Sequence, residues 1–191
     1  MSAPAPQAPL VMLIRHAEKP ADTPPPQGVT VDGTADPQSL TPQGWQRAGA
    51  LAALFDPFAG ALQSPLLRTP QVVYAAGTGH HSHSMRPQET VTPLARRLGR
   101  SVDTSYLKDD GAKMIAAALQ QRAVVLACWQ HDDIPAIAGQ IPVVPGTVIP
   151  QQWPGHRFDL VWTFTLQAGS GAYAFAQVPQ NLLAGDLNAG I

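Results

Sequence analysis

Four side chains of this sequence have the right types to grip and attack a phosphoryl group: Arg15 and His16, adjacent in the chain, then Arg86, then His131. A guanidinium offers a fixed charge and a planar fork of donors that matches phosphate oxygens, and an imidazole can attack phosphorus or donate a hydrogen bond. Two arginines and two histidines delivered to one place would make a phosphoryl-transfer site. Whether they meet depends on the elements that carry them.

Leu10-Val-Met-Leu-Ile14 is a continuous apolar run that stops at Arg15-His16, as expected of a strand buried on both faces. Gln71–Ala75 is a second such run. It leads through the irregular stretch Ala76–Met85 to Arg86, where a helix is predicted as far as Leu98, with Pro93 as a kink or an interruption of its first half and Gly99 as its stop. Ala123–Ala127 is the third, followed by Cys128-Trp-Gln-His131 and a short helical stretch over Asp133–Gly139. Between them, Thr41-Pro42 reads as an N-cap with proline in the first helical position, and Trp45, Ala48, Ala52 and Phe55 share one helical face. Ala112–Arg122 is a second strong helix, and Val102–Tyr106 is a weaker strand candidate. Phe158–Leu166 and Ala172–Val178 flank Ala168-Gly-Ser-Gly171, a hairpin signal. The pattern predicts an α/β chain: a three-layer α/β/α sandwich with a mainly parallel central sheet and an antiparallel C-terminal hairpin. In such sheets ligands bind beyond the carboxyl ends of the strands, where the four residues are expected.

Composition narrows the partners. Twelve Lys plus Arg against 13 Asp plus Glu leave a formal charge of −1, which gives no field for nucleic acid. No apolar run of about 18 residues offers a membrane span. With 191 residues and 45% apolar content, one domain over 1–191 is expected, behind a flexible N-terminus over 1–8. The single cysteine, Cys128, excludes an internal disulfide. No secretory signal precedes the first strand, so a reducing cytoplasm is the expected location. The proline-rich stretch Pro20–Pro37 and the segment Pro142–Pro154 are expected to wall the entrance to the site.

Five motifs, in order, resemble the histidine phosphatase superfamily, phosphoglycerate mutase-like and of branch 1 type. They are Leu13-Ile-Arg-His-Ala-Glu-Lys19, Leu40-Thr-Pro-Gln-Gly44, Arg86-Pro-Gln-Glu-Thr90 with Pro93-Leu-Ala95, Trp129-Gln-His-Asp-Asp-Ile-Pro135 and Phe158-Asp-Leu-Val-Trp162. The resemblance runs from about residue 10 to about residue 165. It implies that His16 is the nucleophile and becomes a phosphohistidine, while Arg15, Arg86 and His131 bind the phosphoryl oxygens. It implies neither cofactor nor metal, and a small phosphorylated substrate or phosphate as the partner. The two arginines are expected to lower the His16 pKa by like-charge repulsion and to stabilise the transferring charge.

The proton donor for the leaving oxygen stays open among Asp132, Asp109, Asp110 and Glu89. Asp132 follows His131, as the donor does in the acid phosphatase and phytase branch, but Asp132 or Asp133 would equally cap a helix. Asp109 and Asp110 would cap the helix that follows them. Glu89 lies in a first helical turn, where the dipole favours its ionised form. His80, His81 and His83 invite a metal reading, yet they have no supporting Cys or i, i+4 pair, so lining the pocket rim is the expected role. Lys19 is read as meeting a second anionic group or as solvated, Trp45, Cys128 and Trp129 as packing, and His156 and Arg157 as surface. The resulting expectation is a metal-independent phosphomonoesterase. The alternatives are a phosphoglycerate-type mutase and a phosphate-binding regulatory module with weak or no turnover. Substrate and oligomeric state are not legible in the residues.

Overall fold

The apolar run that opens the chain forms a strand, β1 (Leu10–Arg15), and all six of its residues are buried. The structure, a computed structural model, describes residues 8–191. Of the N-terminus expected to be flexible over 1–8, residues 1–7 lie outside the described part and Ala8 is exposed. With β2 (Val72–Ala75), β3 (Val102–Asp103), β4 (Val124–Trp129), β5 (Leu160–Leu166) and β6 (Tyr173–Pro179), β1 builds a six-stranded sheet in the order β3-β2-β4-β1-β5-β6. The pairs β2–β3, β2–β4 and β1–β4 are parallel, and β1–β5 and β5–β6 are antiparallel. The mainly parallel sheet and the antiparallel C-terminal hairpin are both present.

Side chains alternate across a strand, so β1 feeds two cores. Leu10, Met12 and Ile14 pack with Leu51 and Phe55 of α1 (Pro42–Phe55) and with Val91 and Leu94 of α2 (Arg86–Arg97). Val11 and Leu13 face Met114 and Ile115 of α3 (Gly111–Gln121) and Ile134 and Ile137 of α4 (Ile134–Ala138). The sheet therefore lies between two helical layers. The expected cap is in place at α1, where the Thr41 hydroxyl accepts from the Gly44 amide at 3.1 Å. The α2 helix runs through Pro93 without interruption and stops at Gly99, whose φ of +62° suits glycine.

Three stretches differ from expectation. The strand expected over Val102–Tyr106 closes after two residues because the Asp103 carboxylate accepts from both the amide and the hydroxyl of Ser105, turning the chain. Arg157 is buried, not at the surface: its Nε donates to Asp159 at 2.7 Å and its Nη2 to the Ala189 carbonyl at 2.6 Å, contacts that bring in the distant C-terminus. The proline-rich loop is strapped down, with Trp45 Nε1 donating to the Val29 carbonyl at 2.8 Å and Arg86 Nη1 to the Pro37 carbonyl at 3.0 Å.

Candidate active site

The registers decide what meets. Ile14 and Ala75 both pair with Cys128, so the carboxyl ends of β1, β2 and β4 finish level with one another. His16 N–H continues the ladder by donating to the Trp129 carbonyl at 3.0 Å. A pocket of about 180 Å³ opens there, and Arg15, His16, Arg86 and His131 all line it. The four sequence candidates are thus brought together.

Each is held in a particular way. Arg15, 1% exposed, donates from Nη1 to the Gly155 carbonyl at 2.6 Å and the Arg157 carbonyl at 3.2 Å, while the Phe158 ring lies 3.7 Å from its Cζ. Its other edge, Nε and Nη2, is buried with no partner among the described residues. Burial lowers the Arg15 pKa to about 10. His16 is also buried, and its Nδ1 lies 2.7 Å from the Ala17 carbonyl, which can only accept, so Nδ1 carries the proton and Nε2 the lone pair. Burial pushes the His16 pKa down to about 3, with Arg15, Arg86 and His131 adding to the shift. Burial therefore outweighs the like-charge repulsion expected from the arginines. Arg86, the first residue of α2, keeps a buried Nε without a partner, and burial lowers its pKa. His131 is partly open to solvent, and burial followed by Arg15 lowers its pKa. The Ala17 amide donates to Thr90 Oγ1 at 2.8 Å, and Thr90 in turn donates to the Arg86 carbonyl, which locks the His16 turn to the start of α2.

Residues absent from the sequence reading join the lining, and two of them stand out. Gln130 is 8% exposed with both amide atoms unpartnered, and the Ser84 hydroxyl is likewise buried and free among the described residues. Neither has a residue type that announces a site; only burial without a partner does. Lys19 and Lys108 also line the pocket, so its lining carries four cationic side chains against the single carboxylate of Asp132. The proline-rich loop contributes nothing to that lining. The Pro142–Pro154 segment instead borders an adjoining cleft of about 520 Å³ through Thr147, Ile149 and Gln151, and this cleft shares Asp132 with the pocket.

The acid candidates separate. Glu89 accepts from the Ser39 hydroxyl at 2.7 Å and the Leu40 amide at 2.8 Å, so it anchors the chain before α1 rather than facing the pocket. Its pKa is raised by burial, against the ionised form expected from the helix dipole alone. Asp110 accepts from Lys113 and from the Leu107 amide. Asp109 pairs with His81. Asp132 alone of the four lines the pocket. Burial pushes its carboxyl up, but its own amide and Lys108 outweigh that and hold it below the usual carboxylate range. Asp133 stands at the N-cap of α4 without a side-chain cap bond. Burial and Asp132 raise it to about 6, but it is not part of the lining. His80, His81 and His83 do not converge on a metal-holding group among the described residues; His81 alone reaches the pocket.

No protein-family model matches the chain. No curated protein matches it either. Solved structures do. The protein histidine phosphatase SixA, complexed with tungstate, aligns at a TM-score of 0.55 and 15% identity over 90% of this chain and 97% of that one. A mutant of the phosphoserine phosphatase from Entamoeba histolytica, in complex with phosphoserine, aligns at 0.55 and 11% identity over 91% and 98%. A protein described as mycobacterial hydrolase 2 aligns at 0.51 and 11% identity, covering 90% and 89%. The chain has the fold of the histidine phosphatases, which matches the resemblance its motifs carry. Among the described residues, no helix is long and apolar enough to cross a membrane.

Proposed function

We propose that this chain is a phosphatase that hydrolyses phosphomonoesters through a phosphohistidine on His16. One observation carries the reading: a neutral, buried imidazole sits in a small pocket with the unpartnered N–H groups of Arg15 and Arg86. Buried donors without acceptors are costly to leave unmet, so the pocket is built for an anion that supplies the oxygens. At about 180 Å³ it admits the phosphoryl group and leaves the rest of the substrate at the rim. The names of two structural neighbours, a protein histidine phosphatase bound to tungstate and a phosphoserine phosphatase bound to phosphoserine, support this class.

In the first step His16 Nε2 attacks phosphorus as the ester P–O bond breaks, and the leaving oxygen takes up a proton. The Nδ1–H bond to Ala17 keeps the lone pair on Nε2 through the attack. Arg15 and Arg86 neutralise charge on the equatorial oxygens, and His131, Gln130 and Ser84 add hydrogen-bond donors. In the second step water attacks phosphorus, the P–N bond breaks and inorganic phosphate leaves. The charge is carried by guanidinium groups, so activity is expected to persist in a chelator.

The test is His16→Ala assayed by phosphate release from p-nitrophenyl phosphate, with turnover expected to fall to background. Unchanged turnover overturns the assignment. A second reading, a phosphate-binding module of low turnover, is favoured by the ionised state of Asp132, the one carboxyl in the lining that was a candidate acid. A single burst of His16 labelling without steady turnover would select it.

A further inference from the structure

We infer that His81, held by Asp109, is the proton donor to the leaving group, in the place a carboxylic acid would otherwise fill. This rests on the phosphatase reading of the same pocket. The carboxyl candidates fail on position or on charge: Glu89 and Asp110 are engaged elsewhere, and Asp132 is held ionised beside Lys108. His81 lines the pocket on the solvent side, where the leaving oxygen must emerge, whereas His16 and Arg15 form its buried floor. Its Nδ1 is hydrogen-bonded to the Asp109 carboxylate, which can only accept. That sets the tautomer and leaves Nε2, on the exposed side of the pair, to exchange a proton.

The pairing is built into the backbone. Gly77 N–H donates to the Tyr106 carbonyl at 2.8 Å, and Gly77 and Leu107 form a parallel bridge. The approach is so close that a Cβ on Gly77 would stand 2.3 Å from the Thr104 carbonyl oxygen. Gly79 and Ser82 exchange backbone hydrogen bonds across a tight turn with His81 inside it. Asp109 lies in the 3-10 turn Lys108–Asp110, immediately after the strapped segment. The loop beyond β2 and the turn beyond β3 are thus pinned together two to four residues from the two side chains.

The proton balance closes. As the P–O bond breaks, the departing oxygen takes the proton from His81 Nε2. When water then attacks the phosphohistidine, His81 Nε2 accepts a proton from that water while the P–N bond breaks, and the donor has its Nε2 proton back for the next cycle.

The experiment is a series of substituted phenyl phosphates, from p-nitrophenyl to unsubstituted phenyl, assayed with the parent protein and with His81→Gln. A nitrophenolate leaves without a proton and a phenolate needs one. The kcat/KM of His81→Gln should therefore stay near the parent value at the nitrophenyl end and fall on the order of 10²-fold at the phenyl end. Asp109→Asn should show the same leaving-group bias to a smaller degree. No loss anywhere, or an equal loss on every ester, overturns the assignment of His81 while leaving the phosphatase reading intact. A parent protein that releases no phosphate from any of the esters takes down both.

Discussion

A histidine buried between two arginines is a nucleophile only while it stays neutral, and the surroundings of His16 enforce that. Its folded pKa lies near 3 and its ordinary value at 6.5. The His16 ring signals in NMR should therefore not titrate from about pH 8 down to about pH 4. Between the two values the unfolded chain binds the extra proton, so this residue makes stability fall as pH drops below about 6.5. The urea midpoint should decline over that range, and less steeply in His16→Gln. Gln130 acts at the same scale. Gln130→Leu keeps its volume but removes two unpartnered groups, so inorganic phosphate affinity by calorimetry should weaken on the order of 10- to 100-fold. Arg15, His16, Arg86 and His131 were legible because charged or titratable types at strand ends are conspicuous. Gln130 and Ser84 were not, since neither type stands out until its burial is seen. The roles of the carboxylates were illegible for a related reason: Asp109, Asp110, Asp132 and Glu89 are one chemical type, and only their partners tell them apart.

At the level of elements, chain sequence dictated most of what positions the site. The runs Leu10–Ile14 and Ala123–Ala127 read as strands buried on both faces, as they are, and their parallel pairing sets Arg15 opposite Trp129. The Thr41 cap, Pro42 and Gly99 marked helix ends that the structure retains. Two readings failed, one for a local reason and one for a non-local one: Asp103 and Ser105 make a turn inside the run Val102–Tyr106, and nothing in Arg157 shows the C-terminal carbonyls that bury it. Gly44 shows how an element end meets the site: a Cβ there would lie 2.5 Å from the Glu18 carbonyl oxygen, which also accepts from the Thr41 amide at 3.0 Å. That obstacle is backbone and cannot rotate away. Gly44→Ala should push the start of α1 from the turn after His16 and destabilise the protein by about 1–3 kcal/mol in urea unfolding, with activity lost in parallel.

Over the whole molecule, the site is braced from the far end of the chain. Arg47 on α1 sends Nε and Nη2 to Glu18, two residues beyond His16, and Nη1 and Nη2 to Asp186, while Gln180 takes a further bond from Nη1. Asp186 in turn accepts from the Leu182 and Leu183 amides, closing the C-terminal turn. Arg47 is 3% exposed, and burial alone would lower its pKa, but Asp186 and Glu18 outweigh that and hold it above its ordinary value. A buried ion group of this kind adds little over a well-packed apolar one while intact, yet removing one member leaves like charges stranded. Arg47→Met should therefore cost about 3–5 kcal/mol in denaturant unfolding, because Glu18 and Asp186 lose their shared cation. Adding Glu18→Gln and Asp186→Asn to Arg47→Met should recover part of that loss by removing the stranded charge. If the triple variant were no more stable than the single one, the cost would come from lost packing around Arg47, and the charge network would not be what ties the C-terminus to the catalytic turn.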